Sequence, residues 1–142
     1  MDLEVKKELL EKNTLENNLD MVIFSRFKHT AGDRCQVNFE AWIDVQIKEE
    51  YFKDQSLNNL ELNSVKSLLG EKTSYIYSKT RNFIPEDEKE KIFEDMRRQF
   101  LDNNLTYISS PSFPARLIKR NYITAEKEER IRLQREAYLK NV

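Results

Sequence analysis

Glycine is nearly missing from this chain: Gly32 and Gly70 are the only two. That shortage excludes the glycine-rich phosphate cradle of P-loop proteins, the dinucleotide fingerprint and the nucleophile elbow, all of which need several glycines at fixed spacing. One cysteine, Cys35, rules out an intramolecular disulfide, and one histidine, His29, rules out the common zinc sites and histidine-rich catalytic centres within one chain. A metal would need mostly carboxylate ligands, and neither a metal nor a cofactor is expected. No apolar run approaches the roughly 20 residues needed to cross a bilayer, the longest being short stretches such as Met21 to Phe24. The first residues carry no apolar h-region, so no secretory leader is expected. A soluble protein of the reducing cytoplasm, without membrane contact, is the expectation.

Excess charge of one sign is also lacking. Lysine plus arginine total 24 and aspartate plus glutamate 25, giving a formal charge of -1. Nucleic acid is therefore the less favoured partner, because a phosphate-neutralising domain is usually strongly basic. Hydrophobic residues at 39%, eight of them phenylalanine, suffice for a core, and 142 residues predict one domain spanning 1–142.

What the sequence does contain is a long alternation. Cys35, Val37, Phe39, Ala41, Ile43, Val45 and Ile47 are apolar, whereas Gln36, Asn38, Glu40, Asp44 and Gln46 between them are polar. Period two marks a strand with one buried face. At about 3.3 Å per residue the run would extend about 43 Å, so it should bend, bulge or project beyond its sheet. Trp42 interrupts the polar side. Met21 to Lys28 reads as a partner strand, with Thr30-Ala-Gly-Asp33 as the reversal between the two.

Elsewhere, residues 2–18, rich in Glu, Lys and Leu, predict a helix. Asn63 or Ser64 is expected to cap a short helix that stops at Gly70, and Thr73 to Ile84 has strand composition. Pro85 with Glu86, Asp87 and Glu88 predicts a helix start, and Ile92, Phe93, Met96, Phe100 and Leu101 form an apolar stripe that Asn103-Asn104 would end. Leu105 to Ser109 and Arg116 to Ile123 are expected strands on either side of the Pro111 to Pro114 break, with Thr124 capping a terminal helix to Lys140. The predicted class is α+β: a mainly antiparallel, curved sheet with a long amphipathic helix of about 85–103 on one face and further N- and C-terminal helices.

Three catalytic readings arise. His29 and Cys35 face each other across the predicted hairpin, but a nucleophile also needs an accessible thiolate. Glu40 and Asp44 share a strand face, yet four residues separate their backbones by about 13 Å, beyond the roughly 5–9.5 Å of glycosidase carboxyl pairs. Asp33 followed by Gln46-Ile47-Lys48 resembles the acid and Q-x-K element of nucleases related to restriction endonucleases, which implies a metal-dependent nuclease. In that family the two elements lie on adjacent strands, whereas here one uninterrupted strand joins them.

For binding, the polar side of the hairpin presents Arg26, Lys28, Glu40, Trp42 and Asp44, with Tyr75, Tyr77, Lys79 and Arg81 expected on a neighbouring strand. Aromatic and arginine side chains are favoured interface anchors. The leading expectation is a non-catalytic interaction protein that associates with protein or with itself as a homodimer. Trp42 is its first interface residue, with Arg26, Tyr75, Tyr77 and Arg81 behind it. The alternatives are the nuclease and a small-molecule carrier with a cavity between sheet and helix.

Overall fold

The structure, a computed structural model, describes residues 8–141. Four strands form one antiparallel sheet in the order β1-β2-β3-β4: β1 is Glu8–Thr14, β2 Asp20–Ala31, β3 Arg34–Gln46 and β4 Lys72–Pro85. Among the described residues three helices complete the α+β fold: α1 Leu62–Leu69, α2 Lys89–Ile108 and α3 Phe113–Lys140. Contacts divide the chain into two compact units. The first takes in residues up to Asp44 together with Tyr75–Ser110, and the second Val45–Ser74 together with the chain from Pro111 onwards.

In the first unit the alternation of β3 sets the interior. Cys35, Val37, Phe39, Ala41 and Ile43 are fully buried, and the facing row of β2, Met21 and Ile23, joins them. β2 and β3 reverse through Gly32 and Asp33; Gly32 has φ 57, the left-handed setting that a two-residue hairpin gives to glycine. α2 lies on this apolar row. Phe39 meets Phe93 at 5.5 Å and Phe100 at 5.4 Å between ring centroids, and Tyr77 of β4 stacks on Phe100 at 4.6 Å. Phe83 adopts φ 59 and points to solvent, and the parity of β4 shifts there, so Ile84 is buried although it is an even-numbered position.

The expected helix over 2–18 is not found. Residues 2–7, including Leu3, lie outside the described residues, and the remainder forms β1 followed by a turn. Helix propensity differs by only a few tenths of a kcal/mol per residue among ordinary side chains, and pairing with β2 over a whole strand outweighs it. Asn17 lies in that turn and ties it to α2. Its Nδ2 donates to the carbonyls of Ile108 and Ser110, both at 2.9 Å, while its Oδ1 accepts from Leu19 N at 3.2 Å. It thus caps carbonyls at the C-terminal end of α2, which have no partner within the helix.

The long helix also differs in extent from the expected 85–103. Pro85 closes β4, Glu86–Glu88 form a 3-10 turn, and α2 runs on to Ile108. Asn103-Asn104 do not stop it: Asn104 Nδ2 donates to Phe100 O at 3.0 Å, and Ile108 continues the buried stripe of Phe93, Met96 and Phe100. Leu105 to Ser109 is therefore its final turn and not a strand.

The second unit packs α1 and α3 with two short 3-10 turns, Glu49–Lys53 and Gln55–Leu57, in the connection after β3. Leu57, Val65, Phe113, Ala115, Leu117 and Ile118 are buried. α1 has Glu61 at its N-cap position, with no side-chain cap bond, two or three residues ahead of the expected Asn63 or Ser64, and is closed by Gly70, whose φ of 88 suits glycine. The expected strand over 116–123 and cap at Thr124 are both interior to α3, because Phe113, Leu117, Ile118 and Asn121 recur at helical spacing. Asn121 Nδ2 donates to Thr73 Oγ1 at 2.7 Å and to Ser74 O at 3.1 Å. From Arg130 onwards α3 is exposed, supported by i,i+3 and i,i+4 pairs such as Arg132 with Glu129 and Glu136.

Replacing Asn17 tests the link between the first turn and α2. Asn17→Ala should cost about 1–2 kcal/mol in denaturant unfolding, since two carbonyls lose their donor. Asn17→Asp should cost at least as much, because it puts a negative charge at the negative end of the helix.

Candidate functional site

Strand alternation gives the sheet a second face, turned away from α2. On β3 it carries Gln36, Asn38, Glu40, Trp42 and Asp44; on β2 their register partners are Lys28 for Gln36, Arg26 for Asn38, Phe24 for Glu40 and Val22 for Trp42. From β4 it takes Ile76, Ser78, Thr80 and Asn82, since Asn38 Nδ2 donates to Ser78 Oγ at 3.3 Å and Thr80 Oγ1 at 2.7 Å, and Gln36 Nε2 to Asn82 Oδ1 at 2.9 Å. The rings of Trp42 and Phe24 meet diagonally across the strand pair at 4.5 Å. Trp42 Nε1 donates to Glu40 Oε1 at 3.2 Å, and Glu40 itself is only 6% exposed. Ile76 is 62% exposed. The face therefore combines an aromatic pair, a buried carboxylate and uncovered apolar surface.

The sequence-derived interface residues divide between the two faces. Trp42 and Arg26 are both half-buried on the face just described. Tyr75 and Tyr77 belong to the opposite row: Tyr75 is buried and Tyr77 stacks on Phe100. Arg81 has the same parity as the tyrosines and is exposed. The expected single patch of five is thus two residues on one face and three on the other row. Phe24, Val22 and Ile76 went unassigned. Met21 to Phe24 is apolar at consecutive positions, the pattern of a strand with apolar groups on both faces, and that was the available signal.

Neither the nuclease-like element nor the His29–Cys35 pair assembles. Asp33 sits in the turn before β3 and Gln46 is the last residue of that 13-residue strand, so the two lie at its opposite ends. Asp33 lies 3.6 Å from Arg34 Nε, and Lys48 lies 3.8 Å from Glu50 Oε1. The nuclease-like element is dispersed along one strand. His29 and Cys35 are register partners, but Cys35 is fully buried, and burial pushes its thiol pKa up, with the Glu86 carboxylate adding to the effect. His29 Nδ1 instead lies 3.1 Å from Glu86 Oε1; that hydrogen bond, with Lys89 at 3.3 Å, holds the Glu86 carboxyl below its usual range. Among the described residues no three His, Cys, Asp or Glu side chains converge as metal ligands.

The first unit also has a cleft of about 500 Å³ between the β1–β2 pair and α2, lined by Glu8, Leu10, Glu11, Ser25, Phe27, Glu90, Phe93, Glu94 and Arg97. Arg97 crosses it to Glu11: Nε donates to Oε1, and Nη2 to Oε2 at 3.1 Å, while Nη1 reaches Glu94 at 3.2 Å. The guanidinium hydrogen bond lowers the Glu11 carboxyl from its usual 4.5.

The chain matches no family model, no curated protein and no solved structure. None of the described helices is long and apolar enough to cross a membrane.

A carboxyl depressed in the folded state contributes stability that is present above its unfolded pKa and lost as pH falls through the folded value. Unfolding free energy should therefore drop below about pH 4.5 more steeply in the parent than in Arg97→Gln. At pH 7 that variant should be about 1 kcal/mol less stable.

Proposed function

We propose that this protein is a small non-catalytic interaction module whose docking face is the sheet surface around Trp42, and that it associates with a second copy of itself. The aromatic pair of Trp42 and Phe24, on the face away from α2, carries this reading. Tryptophan and arginine concentrate binding energy where they can be desolvated, and Trp42 has Arg26 on the same face and exposed Ile76 on β4. The Glu40 carboxylate accepts a hydrogen bond from the indole N–H, so the anchor is oriented before a partner arrives.

Two further features support self-association. The exposed part of α3 displays Ile131, Leu133, Tyr138 and Leu139. The near-zero net charge, with both signs interspersed, favours a protein partner over a nucleic acid. The same reading places the protein in the reducing cytoplasm as a soluble homodimer, where the buried Cys35 stays a thiol.

Sedimentation equilibrium across micromolar concentrations should give a mass that rises towards twice the monomer. Trp42→Ala should weaken association by about tenfold or more, corresponding to at least 1.4 kcal/mol, with the far-UV circular dichroism unchanged. A strictly monomeric mass throughout, or undiminished association in Trp42→Ala, removes the proposal.

A further inference from the structure

The apolar row of β2 and β3 that faces α2 has one polar interruption. Met21, Ile23, Cys35, Val37, Phe39, Ala41 and Ile43 fill it, and Ser25 stands among them, 2% exposed, its Oγ without any hydrogen-bond partner. An unpaired buried hydroxyl costs free energy, and nothing in the packing of this row calls for one. Ser25 lines the cleft beside α2, where Phe27 and Phe93 form apolar walls with centroids 6.1 Å apart.

Charge around the cleft has one sign in excess. Four glutamates and one arginine line it, and Arg97 is taken up by Glu11 and Glu94. Glu8 and Glu90 make no ion pair among the described residues, so two carboxylates remain uncommitted. Phe27 already accepts an ammonium group: Lys89 Nζ lies 5.4 Å from its ring centroid.

We infer that this cleft binds a linear aliphatic diamine or polyamine. One ammonium would donate to Ser25 Oγ and to a neighbouring carboxylate, the methylene chain would lie against Phe27 and Phe93, and the remaining charge would meet the uncommitted glutamates. The volume falls within the range of small-molecule sites. This inference does not depend on the docking face around Trp42.

Isothermal titration of the full chain with 1,4-diaminobutane and spermidine, with butylamine and 1,4-butanediol as controls, tests it. Both polycations should bind, butylamine should bind at least about tenfold more weakly, and the diol should give no heat. Glu8→Gln combined with Glu90→Gln should weaken diamine binding about tenfold. Ser25→Ala should also weaken it while leaving the unfolding midpoint unchanged or raised, because the hydroxyl it removes makes no bond in the free protein. Absence of binding, equal binding of the diol, or unchanged affinity in the double glutamine variant overturns the inference. So does a Ser25→Ala variant that loses stability without losing affinity.

Discussion

Phe39 sits where three elements meet: it belongs to β3, touches Phe93 and Phe100 of α2, and lies 6.0 Å from Tyr77 of β4. Edge-on and stacked ring contacts at these distances add directional preference to area burial, so the cluster fixes the rotation of α2 as well as its presence. Because side chains alternate strictly along a strand, placing Phe39 inward also decides every other position of β3 in the first unit. A slip of one residue would bury Asn38 and Glu40 against phenylalanines. The register of the sheet and the packing of its helix are thus a single constraint.

The opposite face follows from the same parity. Positions forced away from α2 include Trp42 and Phe24, which are too apolar for a fully wetted surface, and Glu40 and Asn38, which are buried. Asn38 satisfies its amide by donating to β4, yet its Oδ1 has no partner. The bond from Trp42 Nε1 to Glu40 restricts how the indole can move, because tilting it away would break that bond.

How much of this was legible in the sequence varied with the range of the interaction concerned. The alternation from Cys35 to Ile47 and the turn at Gly32 are local patterns, and the hairpin follows from them. The stripe of Phe93, Met96 and Phe100 is equally local, and α2 was readable from it. Errors arose where local composition disagreed with partners far along the chain. Glu8–Thr14 has helix-forming residues but pairs with β2, and the Ile, Tyr and Thr residues near 118–124 have strand composition but continue a helical spacing begun at Phe113. The face assigned to Tyr77 depended on the pairing of β3 with β4, set by strands far apart in sequence. Arg97 and Glu11 are 86 residues apart, so no spacing rule could have joined them. Ser25 became informative only when the rest of its row on β2 and β3 proved apolar and its Oγ proved unpaired.

The interleaving of the two units has a consequence for biosynthesis. Each is assembled from two separate stretches of chain, divided at Asp44, Ser74 and Ser110. On a ribosome, the first unit has all its described parts once Ser110 has emerged, whereas Val45–Ser74 must wait for α3 to be translated. For that interval Leu57 and Val65 lack Phe113, Leu117 and Ile118 as core companions, and a nascent chain stalled near residue 110 would expose them to chaperones and proteases.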